Sequence, residues 1–331
     1  MTQPTATPFS PLRPVPEGVA SPDGRWLYLP AASGGLDAVA AASGELRWHR
    51  AEAALALLAE DAQVLVLEPT GQGQLRPCWL DAADGAARAQ RSGVLPPPLP
   101  HLAGGPGAWA ITDSVWHGDR LLLAWSARAF GGQAPVARGV LALDPAHLAQ
   151  AAEDARWPPP PAWPGSADLQ PFAEGGTPLP PWTVQGDVVA LALREPPAGE
   201  RALLLLRRGD GPPATAVLVE PLPPPGCLQP LASPDPGLVT LLHSADRAGD
   251  GPVPVWRLFA APDGTPLATL AAEDGLLPPF CRCGERLLAR RLGALAHKRA
   301  SPPRQLCAWQ VGDGRPLWQR PLPPHSPQRL G

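Results

Sequence analysis

The sequence predicts an all-β fold, a β-propeller of about six four-stranded blades, with seven as the alternative. Three observations predict it. A two-part phrase recurs six times along the chain, and its turn glycines fall 41, 53 and 50 residues apart, with a wider gap across the third repeat. Prolines and glycines also break the chain into short apolar runs, where a long helix would need continuity.

The 331 residues include 49 prolines and 34 glycines, and these sit between runs such as Leu121–Trp125, Val188–Leu193 and Ala202–Arg208. So placed, they punctuate strands. Hydrophobic residues at 44% against 17% charged supply material for a core.

The first half of the phrase is a polar turn followed by an apolar run. Ser21-Pro22-Asp23-Gly24 precedes Arg25–Leu29, Glu60-Asp61 precedes Gln63–Leu67, and His117-Gly118-Asp119 precedes Arg120–Ala124. Gln185-Gly186-Asp187 precedes Val188–Leu193, Ser233-Pro234-Asp235-Pro236 precedes Gly237–Leu242, and Cys283-Gly284-Glu285 precedes Arg286–Ala289. The recurring acid is expected to close a local Asx-type turn, with an acidic ring on one face as the sharper alternative.

The second half is an apolar strand, a glycine turn and another short strand. Gly44 separates Ala38–Ala42 from Glu45–Trp48, and Gly85 separates Cys78–Ala82 from Ala86–Ala89. Gly211 follows Leu203–Arg207, Gly264 follows Trp256–Ala260, and Gly314 follows Cys307–Val311. The third repeat, Val140–Pro145, keeps the strand and loses the glycine. Asp-Gly and Ser-Gly between apolar runs favour a positive φ in a hairpin turn, which is why glycine returns there.

Gly107–Val115, Leu179–Val184, Gly226–Leu231 and Leu277–Cys281 supply a further strand ahead of the first half in four repeats. The blade cores are then 18–50, 55–90, 107–148, 177–220, 226–270 and 277–320, in one domain over 1–331 with a proline-rich insertion at 149–176. Because an open ring leaves unpaired edges, Pro4–Val19 or Leu317–Leu322 is expected to pair across the seam.

Ala38–Trp48 and Ala308–Trp318 resemble the repeat of quinoprotein-type (PQQ-like) propellers, an alanine-rich strand, a Thr/Ser-Gly turn and a docking tryptophan. Ser21–Arg25 resembles the turn of TolB-type and lactonase-type WD40-like propellers. The resemblance implies that Trp48 and Trp318 each bury a ring between neighbouring blades, the indole N–H reaching a backbone carbonyl. It departs at Ala40, where an aspartate commonly precedes the turn, and at Ala89, where the second repeat lacks its tryptophan. The adjacent Cys-Cys pair known from quinoprotein dehydrogenases is also absent. The expectation is therefore the fold without the cofactor.

No G-x-S-x-G occurs, and Ser114 and Ser126, near His117, are expected to be ordinary strand residues. The seven histidines lack paired spacing, and Cys281-x-Cys283 places two thiols on one strand face with no second pair following. No metal is expected. The five cysteines, with Cys78, Cys227 and Cys307, are expected to be free thiols in a reducing cytoplasm, and from its proline-rich start no secretory leader is expected. A net charge of −3 without a basic block argues against nucleic acid and anionic membranes.

These observations assign no catalytic, cofactor or metal residue, and they give structural roles to Trp48, Trp318, Gly44, Gly85, Gly211, Gly264 and Gly314. The function they point to is a monomeric, non-catalytic scaffold that binds a protein partner through one face or through the loops at Pro96–Pro106 and Trp157–Gly176. The alternatives are a lactonase-like or other hydrolytic enzyme, or a small-ligand sensor, with a site in the central channel.

Overall fold

A computed structural model describes residues 14–53, 55–71, 74–89, 109–117, 120–128, 135–150, 156, 177–184, 187–194, 203–208, 214–217, 229–231, 238–247, 251–260, 265–271, 275–293 and 303–323. Among them every regular element is a strand, and no helix is long and apolar enough to cross a membrane.

The strands form six antiparallel sheets in chain order. The first holds β1 (Pro14–Val15), β2 (Gly18–Ala20), β3 (Trp26–Pro30), β4 (Leu36–Ala40) and β5 (Leu46–Arg50). The second holds β6 (Leu55–Ala59), β7 (Gln63–Gly71), β8 (Gln74–Asp81) and β9 (Ala87–Ala89), and the third β10 (Trp109–His117), β11 (Arg120–Arg128), β12 (Pro135–Asp144) and β13 (Ala149–Gln150). The fourth holds β14 (Thr177–Val184), β15 (Asp187–Arg194), β16 (Leu203–Arg208) and β17 (Ala214–Val217). β18 (Gln229–Leu231), β19 (Leu238–Arg247), β20 (Gly251–Ala260) and β21 (Pro266–Ala271) make the fifth. The sixth is β22 (Leu276–Cys283), β23 (Arg286–Leu292), β24 (Arg304–Gln310) and β25 (Pro316–Leu322).

Each sheet is a meander drawn from one stretch of chain, so the six repeats of the sequence appear as six local ladders. One expectation needs correction. The first sheet has five strands rather than four, because Pro14 and Val15 pair with Val19 and Gly18 through a turn at Glu17, whose φ is 74°. For the pairing expected across the seam, Pro4–Arg13 lies outside the described residues. Among the described residues β1 pairs with β2 of its own sheet and β25 with β24 of its own.

The contacts divide the chain into two compact units, one of residues 1–41, 45–157 and 325–331, the other of 42–44 and 158–324. Strand alternation builds the core of the first unit. Val64 and Val66 of β7 point to one side with Cys78, Leu80, Tyr28, Leu36 and Trp48, while Leu65 and Leu67 point to the other with Leu121, Leu123, Leu141 and Leu143. β7 is thus buried on both faces. In the second unit Trp256 and Leu258 of β20 pack with Phe280, Leu287, Ala289, Cys307 and Trp309 of the sixth sheet, the Trp256 and Phe280 rings 5.4 Å apart.

Candidate functional site

Among the described residues, Gly44, Gly85 and Gly314 lie in the turns before the last strands of their sheets, and Trp48 and Trp318 lie on last strands. Gly44, Gly85 and Gly314 have φ of 72°, 75° and 66°, and each lies four residues beyond the last residue of its strand. That last residue donates its N–H to the carbonyl five positions on: Ala40 to Glu45 at 2.8 Å, Asp81 to Ala86 at 2.7 Å, and Gln310 to Arg315 at 2.9 Å. Ala260 does the same to Thr265 at 2.8 Å. Gly211 and Gly264 lie outside the described residues.

The third repeat, which has no glycine, fills the same position with Leu148. It follows Asp144 by four residues, has φ of 52°, and buries its side chain among Leu57, Leu65, Leu121 and Leu143. A left-handed leucine is unfavourable on its own. Burial of its side chain offsets that cost.

Two tryptophans seal two of the glycines. Trp48 of β5 is buried, donates its indole N–H to the Ala82 carbonyl at 3.1 Å, and lies so close to Gly85 that a Cβ there would sit 2.8 Å from the ring. Trp318 of β25 stands over Gly44 in the same manner, 2.8 Å from where a Cβ would be. Gly85 and Gly44 are therefore required twice over, for the sign of φ and for the ring above them.

Two arginines missed by the sequence reading complete these joints. Arg50 and Arg320 each stand two residues beyond a docking tryptophan, hence on the same strand face. Arg50 Nη1 donates to the Gly85 carbonyl at 3.4 Å, and Arg320 Nη1 to the Gly44 carbonyl at 3.3 Å. The shared motif is Trp-x-Arg, Trp48-His49-Arg50 and Trp318-Gln319-Arg320.

Arg50 makes a second contact that local spacing does not reveal. Glu68 of β7, only 1% exposed, accepts from Arg50 Nε and Nη2 at 3.0 and 2.8 Å through Oε1, and from Arg76 Nε and Nη2 at 3.3 and 2.9 Å through Oε2. One buried carboxylate is thereby held by two guanidinia, one from β5 and one from its own ladder partner on β8.

The other polar groups serve turns. Asp23 accepts from the Ser21 hydroxyl at 2.6 Å and the Arg25 N–H at 3.0 Å, the Asx-type closure expected there. Partial burial alone would raise its pKa, but these hydrogen bonds and the Arg25 charge hold it below the usual carboxylate value. Asp81 accepts the Ala83 N–H at 2.7 Å and Arg88 Nε at 2.8 Å, which lower its pKa. Asp144 accepts from Ala146 and His147 N–H at 2.9 and 3.1 Å, and Asp37 meets its ladder partner His49 at 2.8 Å.

Among the described residues, the placed candidates for chemistry lie apart. The β10–β11 register sets Ser126 opposite Ala110, four residues along the strand from Ser114. Cys281 and Cys283 lie on one face of β22, and together with Cys78 and Cys307 they are buried thiols outside any disulfide. Burial pushes the Cys78 and Cys307 thiols up, away from thiolate reactivity. Cys227 and the segments Pro96–Pro106 and Trp157–Gly176 lie outside the described residues. Among the described residues no group of three or more His, Cys, Asp or Glu is placed to hold a metal ion.

Among the described residues the chain is thus all-β, built of consecutive antiparallel meanders, with two of the turns sealed by tryptophans. No family model and no curated protein sequence matches it. Among solved structures it is similar to BamB from Moraxella catarrhalis, at 14% identity over 93% of this chain and 77% of that one, with a TM-score of 0.28. It is also similar to the quinohemoprotein alcohol dehydrogenase ADHIIG from Pseudomonas putida HK5, at 12% identity over 90% of this chain and 57% of that one, TM-score 0.28. A third is the β-propeller domain of the Trilobed protease from Pyrococcus furiosus, at 9% identity over 89% and 78%, TM-score 0.29. The chain spans little more than half the length of the dehydrogenase, and at these TM-scores no activity or residue role passes to it from any of the three.

Proposed function

We propose that the six sheets are blades set about a common axis and that the protein is a non-catalytic propeller scaffold, cytoplasmic and monomeric, that holds a protein partner. The observation that carries this reading is where the defined polar geometry is used. Arg50, Glu68 and Arg76 fasten β5 to the second sheet, Arg320 reads a turn carbonyl, and Asp23, Asp81 and Asp144 close their own turns. A stiff frame that carries long loops suits recognition. We place the partner at Pro96–Pro106 and Trp157–Gly176: both are proline-rich, and in the second Trp157 and Trp163 stand beside the prolines, a composition that favours an extended contact strand.

The experiment is capture with the full chain, purification of the captured protein, and reconstitution of the pair from purified components. Wild type should form a defined complex by light scattering. Replacing residues 157–176, or 96–106, by a Gly/Ser segment of equal length should abolish it with the circular dichroism unchanged. Saturable turnover of a lactone or ester substrate, or a complex indifferent to both replacements, would overturn the reading.

A further inference from the structure

The ladder registers show that the tryptophan of the third joint has changed strand. In the first sheet Trp48 of β5 pairs with Ala38 of β4, and in the sixth Trp318 of β25 pairs with Ala308 of β24. In the second sheet the same rung, two residues before the end of the third strand, reads in reverse: Trp79 is on β8 and position 89 of β9 is alanine. The indole N–H is nevertheless delivered to the equivalent acceptor. Trp48 donates to Ala82, the residue after the end of β8, and Trp79 donates at 3.0 Å to Pro145, the residue after the end of β12.

The joint served by the displaced ring is also the one whose turn has lost its glycine. A ring on the outer strand comes within 2.8 Å of any Cβ at Gly44 or Gly85, which excludes a larger residue. At the third joint Leu148 holds the left-handed position, and Trp79 packs against the cluster that contains it.

We infer that these two features are set together: a docking tryptophan on the outer strand requires glycine at the left-handed turn position, while one on the neighbouring strand delivers the same hydrogen bond and leaves room for a side chain. Trp79 is then the positioning residue of the third joint, and the rung rather than the strand defines the docking place. The inference concerns the joints alone and stands independently of any partner.

A mutant cycle tests it. Trp79→Ala should lower the Tm by about 5–10 °C, as loss of a packed aromatic does in a chain of this size. Adding Ala89→Trp should recover little while Leu148 remains, and Leu148→Gly in that background should recover at least half of the loss. Equal recovery with and without the Leu148→Gly change, or none in a triple variant that stays folded by circular dichroism, overturns the coupling. Should the triple variant not fold, the reverse cycle decides. Gly85→Leu should cost a markedly smaller Tm fall in an Ala38→Trp, Trp48→Ala background than in wild type, and equal falls would sink the proposal.

Discussion

Tyr28 is the single tyrosine of the chain, fully buried, with its ring centroid 5.8 Å from that of Trp48. Its hydroxyl has no hydrogen-bond partner among the described residues, and burial pushes its pKa up to about 12. Because the native value is raised above the unfolded value near 10, the stabilisation is present below pH 10 and is lost as pH rises toward 12. Tyrosinate absorbance should therefore titrate as one step near pH 12 in the native protein and near pH 10 in denaturant, and a native midpoint at 10 would contradict the burial. Replacement by phenylalanine removes an orphaned hydroxyl and should raise stability by about 1 kcal/mol in urea unfolding, whereas a loss would reveal a partner for that oxygen. Trp48→Ala acts the other way. It removes both the ring over Gly85 and the hydrogen bond to Ala82, and should cost about 3–5 kcal/mol. An unchanged urea midpoint would refute the docking role.

At the scale of strands and turns, much was legible in the chain itself. Apolar runs between polar turns mark β3, β7, β11, β15, β19 and β23, and Gly44, Gly85 and Gly314 mark the turns after β4, β8 and β24, since both signals are local. What stayed hidden was pairing across rungs. Trp79 reads as one more strand residue until the register sets it beside position 89, and Leu148 reads as loop until its φ is seen. Glu68 lies 18 residues from Arg50, so nothing in local spacing announces their contact. Yet that contact should matter energetically. Glu68→Gln leaves two guanidinia without their carboxylate, and with both still reaching solvent the cost should be about 2–4 kcal/mol, measurable by chemical denaturation. A loss below about 0.5 kcal/mol would show that water replaces the carboxylate freely. The proposed partner site is less legible, because the segments Pro96–Pro106 and Trp157–Gly176 carry composition but no spacing that fixes a geometry.

For the molecule as a whole, the absence of shared strands between sheets among the described residues makes stability close to a sum of sheets and joints. Damage at one joint should stay near it. Hydrogen exchange of Trp48→Ala should accelerate in the first and second sheets and leave the packed pair of fifth and sixth sheets protected. Uniform acceleration would instead indicate one cooperative unit. The ladders have a further consequence for descent. Since each meander uses one uninterrupted stretch of about forty residues, a tandem duplication or deletion in the coding sequence adds or removes a whole sheet without rethreading its neighbours, and the paired ring and turn are copied along with it. A lineage built this way can change its number of units by a single recombination event.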